Sequence, residues 1–571
     1  MFSTLSQTNR FLQLTTPLGP DVLTPLSFSG VELLSQPFEY TLRLISSELD
    51  IDPKKLLHKP MTLEIRIPGS QEPRYFNGIV AAFQGEETQK GKRYYNALLI
   101  PWFSCLQHTT DCRIFLGKSV VEIFEMLSKE YGFFHFDKDG IKQKHLPHEQ
   151  NTQYNESAFS FLSRLLEEEG IFYFFHHEKG KHIMMLADKP DIHKACDSPK
   201  IGYNAGSERG QNHSITDWRR GYQLYSGKHA NIDYNYEKPY QGLEGEHKCS
   251  AELPLADKYE TYCSAGQHQR QDMGDVAAKR QFHAQEFQHE LISGSSNHAG
   301  FSAGCQFELS KHSNEKELGK YVLYQVKHSA SDGSYLSALG AGGGGQHYSN
   351  EFICFPAKIP YSPLSITPKP QIPGPQTATV VGEGEIDTDA MGRIQVQFHW
   401  IRNKKKHEQS SCWVRVAQSW SGNGYGTWFL PRVNQEVVVH FIDGDPDRPL
   451  VTGCVYHKEA RLPFALPGNK TQSGIKTQGG GSNELRFDDK KDAQEIYIHA
   501  QKDFKRVIEN DETVIVVKGD HKMSIEAGKS LLEASKSITF KVGASAIQIT
   551  PDKINFYSPA ISQNKEPIIE D

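Results

Sequence analysis

A chain of 571 residues is too long for one hydrophobic core, and its length corresponds to about three to four domains. With 37% hydrophobic residues, 11% aromatics, 47 Gly and 29 Pro, it reads as soluble globular protein rich in strand and turn. A net charge of −6 argues against a nucleic-acid partner, which needs a clustered positive face. No apolar run approaches the roughly 18 residues of a membrane helix.

The N-terminus "MFSTLSQTNRFLQL" has no basic segment followed by an apolar stretch, so no secretory signal is expected and any export takes another route. The nine cysteines (105, 112, 196, 249, 263, 305, 354, 412 and 454) include no C-x-x-C pair. They read as scattered reduced thiols, with neither a disulfide framework nor a zinc site.

Residues 1–355 mix short alternating segments, such as "MTLEIRI" (61–67) and "YNALLI" (95–100), with a few helices. The clearest helix is "NESAFSFLSRLLEEEG" (155–170). Ala158, Phe161, Leu162, Leu165 and Leu166 share one face, Asn155 is placed to cap the start, and Gly170 to end it. Glu167, Glu168 and Glu169 read as a solvated helix end rather than a catalytic cluster. The strand-like "IFYFFHH" follows; His176, His177 and His182 are expected at the surface. His283 and His289 lie six apart, which is not the spacing of a zinc-binding H-E-x-x-H helix, and no G-x-S-x-G elbow occurs. "GAGGGG" (340–345) lacks dinucleotide and phosphate-loop register and reads as a surface loop.

Prolines at 356, 360, 363, 368, 370, 373 and 375 then forbid helix and mark residues 356–375 as extended linker. Residues 376–457 alternate strictly. In "RIQVQFHW", Ile394, Val396, Phe398 and Trp400 face one way and Arg393, Gln395, Gln397 and His399 the other. "QTATVVG", "CWVRVAQSW", "EVVVHFI" and "PLVTGCVY" make five short strands, the pattern of a small closed OB barrel. OB barrels can bind single-stranded nucleic acid, and Trp400, Trp413, Trp420, Trp428 and the basic "RNKKKH" (402–407) raise that alternative. One basic loop in an acidic chain is thin support for it.

Within "HFIDGDPDRPLVTG" (440–453), Asp443, Asp445 and Asp447 suggest a calcium loop. Counting from Asp443, however, Arg448 falls where Gly is required and Cys454 where Glu is required. The segment reads as a hairpin turn, with Gly444 free to adopt positive φ and Arg448 placed to neutralise a carboxylate.

A connector (458–483) leads to a repeat of eight residues: VIENDETV, IVVKGDHK, MSIEAGKS, LLEASKSI, TFKVGASA, IQITPDKI, NFYSPAIS. Its fifth column from the second block onward is Gly519, Ala527, Ser535, Gly543 and Pro551. An eight-residue period means short strands between regular bends. One octad cannot enclose its own apolar face, so several chains winding together, most simply three, are expected over 484–562, with a polar tail at 563–571.

These motifs resemble the VgrG family, the trimeric spike of the bacterial type VI secretion system, along essentially the full length. The carriers are "QYNESAFSFLSRLLEEEGIFYFFHH" with Asn155, Glu156 and Gly170; "DAMGRIQVQFHW" with Asp389, Gly392 and Arg393; and "WVRVAQSWSGNGYG" with Trp413. "VNQEVVVHFIDGDPDRPLVTGCVYH" adds Gly444, Asp445, Asp447, Arg448 and Pro449, and the needle adds Gly519 and Gly543. Ile401 and His399 depart from the family pattern, and its Val-x-Gly repeat survives clearly only at Val517–Gly519.

The resemblance implies a mainly β fold with minor α. It comprises a phage-hub-like region of tandem barrels with a helical insert (1–355), an OB-fold neck (376–457) and an intertwined trimeric β-helix needle (484–562). It implies a homotrimer on a hexameric Hcp tube, with baseplate components, a PAAR-type cap and effectors, driven through a target membrane. The protein would assemble in the cytoplasm and leave without a signal peptide. No cofactor, metal or nucleic acid is implied. A lysozyme domain between neck and needle, or a toxin domain after the needle, finds no room in the sequence. The hub-spike of a phage tail or extracellular contractile particle is the nearest alternative, and a carbohydrate-active β-helix enzyme is more remote.

Overall fold

The computed structural model describes residues 5–66, 73–189, 192–204, 214–240, 242–248, 258–264, 271–334, 345–402, 410–478 and 481–562. Most of "GAGGGG" and of "RNKKKH", and the polar tail, lie outside these residues. The chain forms two compact units, 1–461 and 462–571.

A 12-stranded sheet organises the first unit. Six strands come from the first hundred residues, in the order Leu12–Thr15, Pro60–Ile65, Arg74–Gln89, Lys92–Ile100, Gln36–Ser46, Thr24–Leu33. Gly319–Asp332 joins them to the second set, Gln306–Lys311, Ala195–Tyr203, Ser214–Tyr222, Glu290–Ser296 and Gln346–Pro356. The last of these pairs back onto Gly319–Asp332 (Val326 opposite Phe352), which closes the second set into a six-stranded barrel. Alternation places the core: Phe38, Tyr40, Leu42 and Leu44 point inward from one strand, Met61, Leu63 and Ile65 from another.

The helix Ala158–Glu168 buries the expected face, Ala158, Phe161, Leu162, Leu165 and Leu166. Its cap is Ser157, whose Oγ accepts from the Ser160 amide at 3.0 Å, and not Asn155. Asn155 still belongs to the strand His148–Glu156, where it takes φ 48° and accepts from the Cys112 thiol at 3.1 Å. Gly170 does end the helix, at φ 69°.

In the neck, Gln395–Phe398, Gln376–Val381, Glu436–Phe441 and Pro449–Val455 form a four-stranded sheet in that order. The expected fifth strand is a short extended segment. Val414 bridges Ile394 at one edge of the sheet and Val416 bridges Val451 at the other, closing the barrel around Ala378, Val380, Val396, Phe398, Val437 and Val439. The proline-rich segment is extended, yet it packs rather than hangs free. Tyr361 and Ile372 are buried, and the Ile372 amide donates to the Gly444 carbonyl at 2.8 Å.

The second unit holds two three-stranded meanders, Gln472–Lys476/Glu484–Asp488/Glu495–His499 and Ile538–Val542/Ser545–Ile549/Ile554–Tyr557. Between them, residues 500–537 carry neither helix nor strand. The chain there bends at 501–502, 509–510, 517–519, 526–528 and 535–536, a spacing of about eight residues. Gly519, Ala527 and Ser535 of the fifth column each fall in one of these bends, Gly543 falls in the turn that follows, and Pro551 in the next bend.

Candidate functional site

The loop 442–449 is a joint between the neck barrel and the hub. Asp443 (φ 55°) and Gly444 (φ 73°) turn the chain in the left-handed region, and Asp445 caps the turn by accepting from the Asp447 amide at 2.9 Å. Asp447 reaches out of the loop to accept from the Thr152 amide at 2.6 Å. The Gln150 side chain donates to the Pro446 carbonyl (3.1 Å) and accepts from the Cys412 amide (2.9 Å). The three aspartates form no cage. Lys369, from the proline-rich segment, places its ammonium 2.8 Å from Asp445 and 2.9 Å from Asp447. Burial opposes the charge on Lys369, but Asp447, Asp445 and Glu168 outweigh it and hold its pKa above the ordinary lysine range. Arg448 sits 3.3 Å from Asp233 and only 3.9 Å from Asp443, so its main partner lies outside the loop. Pro449 opens the strand that follows.

A second knot lies at 389–393. Asp389 accepts from the amides of Met391 (3.0 Å) and Arg393 (2.9 Å) and from the Arg393 side chain (2.6 Å). Arg393 also donates to the Tyr236 hydroxyl at 2.7 Å. Gly392 takes φ 71°, and a Cβ there would lie 2.1 Å from the Trp428 ring. Trp400 stacks on Phe398 with centroids 5.1 Å apart, and its indole donates to Gln376 at 3.0 Å. Trp413 is half-buried.

In the helical insert, Glu156 clamps the buried Arg164 at 2.9 Å, and Arg164 also donates to the Thr152 carbonyl at 2.8 Å. The expectation of a solvated acidic helix end holds for the exposed Glu168 and fails for its neighbours. Glu169 is buried, bonded to His145 (2.6 Å) and His148 (2.9 Å) and paired with Arg280 (3.2 Å), while Glu167 accepts from the Ile366 and Thr367 amides. Burial alone would raise the Glu169 carboxyl, but the hydrogen bonds from His145 and His148 and the charge of Arg280 hold it well below the usual range.

The expectation of surface histidines also fails for His177 and His182. Both are buried in a polar seam where Glu32 accepts from Tyr40 (2.8 Å) and Ser302 (2.5 Å). His177 lies 2.9 Å from the Tyr40 hydroxyl. His182 accepts from the Trp102 amide at 2.9 Å and donates to Asn77 at 2.7 Å. Burial pushes its pKa from 6.5 down to about 3. These residues tie hub strands together. Among the described residues no group of three His, Cys, Asp or Glu side chains is placed to hold a metal ion.

In the second unit, the first meander aligns Ile475, Leu485 and Ile498 across its three strands and Phe487 with Ile496. Strand alternation puts all five on one face, and four of them are exposed. Farther on, Val517 is 86% exposed and Leu531 85% exposed.

Three family models cover the chain in order. That of the phage tail baseplate hub (GPD) matches residues 31–334, that of the type VI secretion system/phage-baseplate injector OB domain residues 376–456, and that of the bacteriophage T4 gp5 C-terminal trimerisation domain residues 468–550. The type VI secretion system spike protein VgrG1a of Pseudomonas aeruginosa is 36% identical over 526 residues, covering 89% of this chain and 80% of its own. The chain belongs to the VgrG family of type VI secretion spike proteins. VgrG1c of the same organism is 36% identical over 519 residues, covering 89% of this VgrG chain and 71% of its own. In fold, the chain is similar to an Escherichia coli type VI secretion component described as structurally similar to the T4 tail proteins gp27 and gp5 (TM-score 0.56, 18% identity, 78% of this chain and 99% of that one). It is similar also to a chain of the Francisella PdpA-VgrG complex (TM-score 0.56, 11% identity, 96% and 79%).

Apart from Trp413, in the extended 412–416 segment, the VgrG motif residues of the first unit occupy three places. Gly444, Asp445, Asp447, Arg448 and Pro449 make the joint, Asp389, Gly392 and Arg393 the second knot, and Asn155, Glu156 and Gly170 flank the insert helix. Gly519 and Gly543 mark bends in the second unit. Sequence reasoning missed Lys369, Gln150, Thr152 and Tyr236. Only Lys369 carried a signal, a lone cation held between Pro368 and Pro370.

Proposed function

We propose that three copies of this VgrG chain assemble through residues 484–562 into a homotrimeric spike, winding around one another over 500–537. Its hub docks on the tube and baseplate, the tube being an Hcp hexamer, and its needle carries a PAAR-type cap and effectors across a target membrane. The assembly forms in the cytoplasm and is expelled through the secretion apparatus. The work is mechanical: force on a narrow, cooperatively bonded column. The observation that carries this reading is the run 500–537, bent about every eight residues, bearing exposed apolar side chains and no strand partner of its own. Ladder bonds and apolar cover for such a run come only from other copies. The match to a trimerisation domain over 468–550 supports the same conclusion.

Light scattering on the purified protein tests it. Three times the 64.5 kDa chain mass is expected, and a monomer at every concentration would overturn the proposal. Truncation at about residue 470 should leave the neck barrel folded and lose the trimer; a truncated chain as stably trimeric as the full one contradicts the assignment.

A further inference from the structure

The two parts of the needle beyond residue 500 obey different pairing rules. Residues 500–537 enter no β-sheet of their own chain, whereas 538–557 form a complete antiparallel meander within it. Its register aligns Ile538, Ile549 and Ile554 across the three strands, then Phe540, Ile547 and Phe556, then Val542 opposite Ser545. Residues directly opposite share a face, and alternate residues along a strand do too. One face is therefore Ile538, Phe540, Val542, Ile547, Ile549, Ile554 and Phe556, with Ser545 as its single polar member. The other is Thr539, Lys541, Ala546, Gln548, Asn555 and Tyr557. The apolar face is open: Val542 is 83% exposed and Phe556 61%.

We infer that residues 538–557 are a trimerisation tip that forms first within each chain, packs against two other copies through this face, and sets the register of the shaft. The inference rests on the homotrimer proposed above. Two observations name further copies of this chain as the occupant. Strands 538–542 and 545–549 lie inside the stretch matched by the trimerisation-domain model. They also continue the eight-residue bend pattern of the shaft without interruption, since Gly543 and Pro551 are its next two bends.

The physical need is a register problem. A repeat of eight residues lets three shafts align correctly or slip by one octad with much of the same apolar pairing retained, so the shaft alone specifies its alignment weakly. It also has no hairpin or strand pairing of its own with which to begin. The tip has both a beginning and a unique register. Its turns join neighbouring strands through Gly543 (φ 55°) and through the Thr550–Lys553 turn, closed at 2.9 Å. Hairpins of this size form in about 1–10 μs. Three preformed sheets then have one way to bury seven apolar side chains each, and the shaft zips from that fixed end.

Pulse-labelled hydrogen exchange during assembly of the full-length chain from denaturant, with trimer mass followed by light scattering, tests this. Amides of 538–557 should gain protection before those of 507–537. Phe540→Ser with Phe556→Ser should slow trimer recovery by about tenfold or more, and Phe540→Leu with Phe556→Leu should restore it. A Val517→Ser/Ile525→Ser pair in the shaft should chiefly speed dissociation. Protection appearing first in the shaft, or a tip variant that assembles at the wild-type rate, overturns the tip assignment. A wild-type chain that never trimerises overturns instead the homotrimer on which it rests.

Discussion

Lys369 is held between two prolines, so its backbone has little freedom and its ammonium is delivered to Asp445 and Asp447 at low entropic cost. Replacing it with methionine leaves two largely buried carboxylates side by side without the cation that neutralises them. Lys369→Met should destabilise the first unit by about 3 kcal/mol, read as a lower urea midpoint at unchanged slope. Acid should act at a different place. His182 is neutral in the fold because burial disfavours its charge, and its Nε2 lone pair is already taken by the Trp102 amide. Its folded pKa lies below the unfolded value, so the unfolded chain binds more protons between 6.5 and about 3. That contribution to stability is whole above pH 6.5 and is lost as pH falls through this window, on the order of 2 kcal/mol at pH 4.5. Urea midpoints at pH 7 and pH 4.5 check it, and His182→Gln should flatten the difference.

At the scale of single elements, the insert helix shows what a local pattern reveals and what it hides. The apolar face of Ala158–Glu168 was legible because 3.6-residue periodicity is a property of the segment itself. The cap was misplaced by two residues because Asn155 and Ser157 are both good cap types and only the preceding strand decides between them. Ser157→Ala should therefore cost about 1 kcal/mol in a urea melt. The burial of Glu169 was illegible for a stronger reason: its partners come from positions 145, 148 and 280, brought together only by the fold. The same holds at the joint, where the turn chemistry of Gly444 and Asp445 could be read locally but the contacts to Thr152 and Lys369 could not. In the neck, alternation marked five strands. It could not tell that 412–416 has ladder partners only at Val414 and Val416.

For the whole molecule, domain order and the eight-residue period were readable because each repeats a local rule many times. The packing of the proline-rich segment was not, since composition reports its stiffness and says nothing of its neighbours. If three copies assemble as proposed, unfolding of the second unit should be concentration-dependent, its midpoint rising with protein in scanning calorimetry, while that of the first unit changes less. The joint at 442–449 has a mechanical meaning as well. Its ties leave the loop toward two separate segments of the chain, Gln150 and Thr152 on one strand and Lys369 and Ile372 in the proline-rich run. A pull that parts barrel from hub therefore loads them side by side rather than unzipping them one at a time. Bonds arranged in this way share the force and fail together, so the fastening yields late and abruptly under a brief, hard stroke.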